Sequence, residues 1–339
     1  MFKRPVVIIV GAGAGFEYRM PLGSKLASDI ADAVRFRFEH FSRTPTNGDP
    51  SLFNLLFRRF QQDLTTLNRF TQAGNDLAST ITAAVSVDDA LYQLSENATA
   101  VTLGKMAIFQ TILRAEAGSS LKFSRETGRI DEAAGRNDWI EALFSMAIAG
   151  LKKSELRSAF QNVTFISFNY DRCIEHYLYW AFQRIGVDSV QAAEVVECLN
   201  MIRPYGGLGP VLPNTNGRIE FGFGGHLDPY EILDRIRTYT ESSIHDGARL
   251  KGALHDAHLI IFLGFGFHPQ NLELLRLDQP RTAHVMATVK NIHPANLDAL
   301  NTALGKALRV SPEAIELFDM TTAEMLRGLR LMISMRASS

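Results

Sequence analysis

The sequence predicts an α/β fold: a doubly wound, mostly parallel, Rossmann-like sheet that carries a large helical insertion. Three observations lead there. The run Val6-Val7-Ile8-Ile9-Val10 is β-branched and apolar throughout, without alternation, which is the pattern of a central strand buried on both faces. Further strand-like runs recur at Val163–Ser167, His258–Leu263, Ala283–Thr288 and, more weakly, Ile315–Phe318, and helical stretches separate most of them, as parallel strands require. Between the first two runs, residues 51–160 hold almost no strand signal, far more chain than one crossover helix needs.

Taken in order, the first strand runs into Gly11-Ala12-Gly13-Ala14-Gly15. The stretch Leu22–Phe41 then sets Leu26, Ile30, Ala33, Val34 and Phe38 at helical spacing. Helical periodicity continues over Leu52–Phe70, Ser86–Leu94, Val101–Ala117 and Trp139–Phe160. Ser86 reads as an N-cap, with Asp88 and Asp89 set against the positive end of the helix dipole. The chain thus divides into an α/β domain of residues 1–50 and 161–339 and an inserted helical subdomain of residues 51–160. Within the insertion, the spacing of Phe53, Phe57 and Phe60 fits a core or an interface. The segment 203–229 is rich in Gly and Pro and reads as an irregular excursion, with Asn214-Thr-Asn-Gly217 resembling a hairpin turn. Ser311-Pro312-Glu313 and Thr321-Thr-Ala-Glu324 look like helix starts, so the chain is expected to close with helices.

Composition narrows the function classes. Lys+Arg 35 against Asp+Glu 36 gives a net charge of -1, so no global field selects nucleic acid or an acidic membrane. The two cysteines, Cys173 and Cys198, form no CxxC pair; neither a four-cysteine zinc site nor a disulfide framework is expected, and a reducing cytoplasm fits. The apolar run at Val6 is too short for a signal segment, and no uninterrupted apolar stretch approaches membrane-spanning length. His255 and His258 flank a strand, and nothing pairs them with an acid at metal-ligand spacing, so no metal is expected.

A strand, a glycine loop and a helix N-terminus together make a phosphate site, because outward N–H groups and the helix dipole favour anions where glycine permits close approach. Here Gly11-x-Gly13-x-Gly15 lacks the final spacing of GxGxxG, and no second strand with a ribose-binding acid follows, which argues against an ordinary Rossmann dehydrogenase. Lys25 follows Gly23-Ser24 outside a P-loop frame. A tight glycine turn with no ligand stays open beside the phosphate reading.

Three separated segments together resemble the sirtuin-like family, including its bacterial NAD-consuming anti-phage defence branch. Gly11–Gly15 with Met20-Pro21-Leu22-Gly23 is similar to the family's GAG loop and the short Pro-bearing loop after it. Phe168-Asn169-Tyr170-Asp171, directly after a strand, resembles its T-x-N-x-D motif. Leu263-Gly264-Phe265-Gly266-Phe267-His268-Pro-Gln-Asn271 is similar to its late glycine loop with a following Asn. The resemblance implies a sirtuin-type fold with NAD as substrate. Gly11, Ala12, Gly13, Ala14 and Pro21 would lie along the dinucleotide, Asn169 and Asp171 at the nicotinamide ribose, Gly264, Phe265, Gly266 and Asn271 at the adenosine end, and Gly206 would be a further cofactor contact. Asn169-x-Asp171 also has a plainer reading as the N-capping turn of a helix from Cys173 to Phe182.

Two departures matter. The deacylating sirtuins resembled here carry a four-cysteine zinc ribbon, which this chain cannot build. The family's His-Gly step is matched by Tyr205-Gly206, and tyrosine, with a pKa of about 10, accepts a proton poorly where histidine at about 6.5 does so well. Cleaving the nicotinamide-ribose bond releases a neutral ring, so hydrolysis needs orientation more than a strong base, whereas deacylation relies on a proton relay. The expected activity is therefore an NAD hydrolase giving nicotinamide and ADP-ribose, with Asn169, Asp171, Tyr205 and His226 as candidate catalytic residues. His226, in the loop Phe221–Gly225, also reads as a plain surface histidine. The alternatives are an inactive NAD or ADP-ribose sensor or assembly subunit, and, less favoured, a deacylase. The resemblance further implies a homo-oligomer, controlled by assembly with a HerA-type translocase ATPase or a nuclease.

Overall fold

The computed structural model describes residues 2–39, 44–124, 126–127, 129–131, 136–223 and 228–338. Its centre is a six-stranded, all-parallel sheet. In chain order the strands are β1 (Val6–Val10), β2 (Val163–Ser167), β3 (Asn200–Ile202), β4 (Leu259–Leu263), β5 (His284–Thr288) and β6 (Ile315–Phe318). Their spatial order is β3-β2-β1-β4-β5-β6, the standard doubly wound Rossmann order. All five residues of β1 are buried, flanked in register by β2 (Val10 beside Ser167) and β4 (Val10 beside Leu263). The predicted α/β class, the parallel sheet and the helix-rich excursion after β1 are therefore features of the structure.

The helices are α1 (Gly23–Val34), α2 (Pro50–Phe60), α3 (Leu64–Ala83), α4 (Val87–Gln93), α5 (Ala98–Gly118), α6 (Trp139–Ile148), α7 (Cys173–Arg184), α8 (Ser189–Glu197), α9 (Tyr239–His245), α10 (Gly247–Asp256), α11 (Pro269–Leu274), α12 (Leu297–Leu308), α13 (Thr322–Gly328) and α14 (Arg330–Arg336). The helices between β1 and β2 share one continuous apolar core with the sheet: Leu52, Leu77, Leu103 and Leu143 belong to the same buried cluster as Ile8 and Phe262.

Several boundaries differ from the sequence reading, each for a local reason. The helix expected over Leu22–Phe41 stops at Val34, where Arg35 leaves helical backbone (φ -82°, ψ 75°) and Phe36 turns into the core. Leu52–Phe70 is two helices, broken before Asp63, whose carboxylate accepts the Thr66 N–H and starts α3. Trp139–Phe160 ends as an α-helix at Ile148, before Gly150 at φ 78°, and resumes as a 3-10 segment, Lys153–Ser158. The strand β3 is only three residues long at the sheet edge, too short for periodicity to reveal. Asn214 and Gly217 do occupy left-handed turn positions (φ 64° and 69°), but no described strands flank them as a hairpin. The Ser86 cap of α4 and the Thr321–Glu324 capping box of α13 are as expected.

Candidate functional site

Parallel strands end together, and in a doubly wound sheet the crevice outside their carboxyl ends is where ligands bind, at the point where strand order reverses. Here that point lies between β1 and β4, and a cavity of about 730 Å³ opens at this edge. Cofactor and substrate pockets commonly span roughly 300–1,000 Å³. Its wall takes residues from the turn after every strand: Gly11–Gly13, Phe168–Asp171, Tyr205 after the short edge strand β3, Gly264–Gly266, Thr288–Ile292 and Met320–Thr322. The candidates Gly11, Ala12, Gly13, Pro21, Asn169, Asp171, Tyr205, Gly264, Phe265, Gly266 and Asn271 all line it, although they come from five separate stretches of chain.

The glycines are needed first for packing. Gly264 adopts φ 57°, and a side chain there would reach within 2.1 Å of the Ala14 nitrogen; one on Gly13 would meet the Gly264 Cα at 2.8 Å. The loops after β1 and β4 thus touch backbone to backbone, held by Gly13 N–H donating to the Gly264 carbonyl (2.9 Å). Gly11 N–H is likewise taken by the Leu263 carbonyl (3.0 Å). These two amides are not spare donors for a phosphate. The first helical turn, Ala12–Gly15, is also shorter than the long helix expected from the sequence, which begins only at Gly23. The start of α1 has no side-chain cap, and Gly23 and Ser24 line the cavity, so its free first-turn amides are the better anion donors. Lys290 supplies the only lysine or arginine among the described lining residues.

Two candidates do not reach the cavity wall. Ala14 is fully buried behind it, and its carbonyl accepts the Trp139 indole N–H (2.9 Å). Gly206, at φ 73°, is pressed against the Arg235 carbonyl, where any side chain would clash; its glycine serves the backbone, not a ligand. His226 lies outside the described residues.

Asn169 is held at both ends. Its Nδ2 donates to the Gly11 carbonyl (3.0 Å), and its backbone carbonyl accepts from Arg203 Nη1 (2.8 Å), itself fixed by a two-pronged pair with Glu175 (2.8 Å to each oxygen). Anchoring through Nδ2 leaves Oδ1 as the end of the amide without a partner among the described residues. Asp171 uses Oδ1 to accept the Cys173 N–H (3.0 Å) at the start of α7, so the capping reading holds for this residue while it also faces the cavity. Tyr205 is buried and donates its hydroxyl to Asn271 Oδ1 (2.7 Å). Burial pushes its pKa well up, so the phenol stays neutral and is a poor proton acceptor.

Other residues of the site carry weak sequence signals. Thr288, the last residue of β5, accepts the Gly264 N–H through Oγ1 (2.8 Å) and so sets the late glycine loop; its place at a strand's carboxyl end was the available clue. Glu17 accepts the Trp139 N–H (3.1 Å) and the Ala323 N–H (3.0 Å), tying the starts of α6 and α13 to the cavity rim. From the helical segment, Val85, Ser86, Asp88 and Ile112 complete the wall. Asp88 accepts the Tyr170 hydroxyl, and burial pushes its carboxyl up from 3.8 to about 6.

The floor behind Asp171 is a buried ion pair that no local pattern announces. Arg172 donates to Glu116 from its backbone N–H (3.1 Å), Nε (3.1 Å) and Nη2 (2.5 Å), and Gly222 N–H adds a fourth bond (3.2 Å). Arg172 Nη1 also reaches the Ile219 carbonyl (2.5 Å). Glu116 lies in the last turn of α5, Arg172 precedes α7 and Gly222 lies in the glycine-rich excursion, so one polar knot joins three regions. No protein-family model matches the chain, and no curated protein matches it.

Proposed function

We propose that the protein is a sirtuin-like NAD hydrolase that cleaves the nicotinamide-ribose bond of NAD to nicotinamide and ADP-ribose, with NAD as substrate and no metal. The observation that carries this reading is the meeting of Ala12, Asn169 and Gly264, remote in sequence, around one cavity at the carboxyl ends of the central strands. Its volume suits a ligand of this size, and the amides at Gly23 and Ser24, with Lys290, provide for a pyrophosphate.

In this reading Asn169 orients the nicotinamide ribose and the attacking water, with Asp171 beside it to favour the positive charge that grows at the ribose carbon. The leaving ring departs neutral and needs no acid. Activity is tested by following NAD loss with purified protein. Asn169→Ala is expected to slow it by about 10²-fold, the scale of losing one preorganised polar contact. A variant as fast as the parent rejects this site. Control by homo-oligomer or partner assembly, and a role in anti-phage defence, belong to the same proposal and rest on the sequence resemblance alone.

A second reading, a non-catalytic NAD or ADP-ribose sensor, is favoured by one observation: the position matching the family histidine is a buried, neutral tyrosine engaged with Asn271. It expects nucleotide binding by calorimetry without turnover in any oligomeric fraction.

A further inference from the structure

Tyr205 is a buried donor to Asn271 and so is no proton acceptor, and Asp171 already serves the start of α7 by accepting the Cys173 N–H. A second carboxylate reaches the cavity from the helical wall. Asp88, the second residue of α4, lines the same space as Asn169 and Asp171, and its Oδ1 accepts the hydroxyl of Tyr170, the residue between those two. The helix does not need this side chain as a cap, because the Ser86 hydroxyl already accepts the Asp89 N–H (3.1 Å). Apart from Tyr170 and its own backbone amide, no described group bonds to Asp88. An otherwise uncommitted carboxylate, turned by a neighbouring phenol into a substrate-sized cavity, has the geometry of a general base.

We infer that Asp88 accepts the proton of the attacking water, with Tyr170 as the positioning residue that orients its carboxylate. The inference rests on the NAD-hydrolase reading above. In the step, the bond between the ribose C1′ and the nicotinamide nitrogen breaks, and its electron pair neutralises the ring. The water oxygen bonds to C1′, and one water proton passes to Asp88 and then to solvent. NAD and water thus give nicotinamide, ADP-ribose and one proton, with no other reactant. A carboxyl raised to about 6 is ionised at neutral pH and is a stronger acceptor than an ordinary aspartate. The ionisable groups around it are Tyr170, Tyr205 and, on its own helix, Asp89; α9, packed against α4, brings Tyr239 and Glu241, the latter paired with Lys105 of α5.

The test follows NAD loss between about pH 4.5 and 8.5 for the parent, Asp88→Asn and Tyr170→Phe, with ADP-ribose binding and thermal unfolding as checks on the fold. The parent kcat should rise through an apparent pKa near 6 and level off above it. Asp88→Asn should lose about 10²-fold near pH 7.5, along with that limb, while still binding ADP-ribose. Tyr170→Phe should move the limb to higher pH, because the hydroxyl that favours the charged carboxylate is gone. Asp88→Asn within about twofold of the parent, on the same profile, overturns the inference and leaves the hydrolase reading intact. If Asp88→Asn does not fold, an unmoved limb in Tyr170→Phe overturns it. A parent that binds ADP-ribose but turns over no NAD at any pH overturns both.

Discussion

The cavity has two walls of different construction. The sheet-edge wall is set by backbone: Gly13 against Gly264, Asn169 on the Gly11 carbonyl, each within three residues of the end of its strand. The helical wall, Val85, Ser86, Asp88 and Ile112, is placed by packing and by a handful of side-chain bridges to the other side: Glu116 with Arg172, Asp88 with Tyr170, and the α6 start with the first glycine loop. The first wall is rigid wherever the strands form. The second depends on a few long-range polar contacts, each of which substitution can cut, and these junctions are where the difference between the walls can be broken.

The largest effect is expected at Glu116. Glu116 and Arg172 are both almost wholly buried, and removing one partner strands the other charge away from water. Glu116→Ala should cost about 3–5 kcal/mol in denaturant unfolding. Exchanging both for apolar residues should cost less than the sum of the single changes, because no naked charge is left, although the Ile219 and Glu220 carbonyls then lose their donor. A single substitution costing under about 1 kcal/mol would mean the knot does not hold the walls together.

The second junction titrates. Asp138 caps α6 by accepting the Glu141 N–H (3.1 Å), meets the Tyr18 hydroxyl, and is pushed by burial from 3.8 up to about 7. The folded protein therefore keeps a proton that the unfolded chain releases near pH 4. Stability from this group is complete below that pH, falls as pH climbs towards 7, and is flat above. The loss is roughly 2–4 kcal/mol. Asn at this position still caps and never ionises, so Asp138→Asn should match the parent near pH 4 and exceed it near pH 8. Parallel stability curves for the two proteins would remove Asp138 as the titrating junction.

The two walls also differ in how far the sequence discloses them. Val6–Val10 and the later apolar runs mark the sheet because strands buried on both faces cannot alternate, and turns at strand ends carry glycine or capping chemistry that survives in one dimension. Gly11, Asn169 and Gly264 were legible for that reason. Asp88 was legible only as an acid in a first helical turn. Its meeting with Tyr170 is a contact across 82 positions, and Glu116 with Arg172 spans 56, distances over which no periodicity acts. Ala14 and Gly206 mislead in the opposite sense: motif position marked them for a ligand, whereas Ala14 sits behind the wall and Gly206 answers to the Arg235 carbonyl.

The smallest effect is expected within the sheet-edge wall itself. Tyr205→Phe removes the hydroxyl that Asn271 accepts but keeps the ring against Phe168 (5.8 Å between centroids) and Tyr170 (6.4 Å). The cost should be about 1 kcal/mol, that of one hydrogen bond whose remaining partner lies beside a cavity where water can replace it. Because burial keeps the phenol neutral through the physiological range, the proposed NAD turnover should change by only a few-fold and its pH profile not at all. A loss of about a hundredfold, or a displaced profile, would place Tyr205 in proton transfer and return the base to the sheet-edge wall.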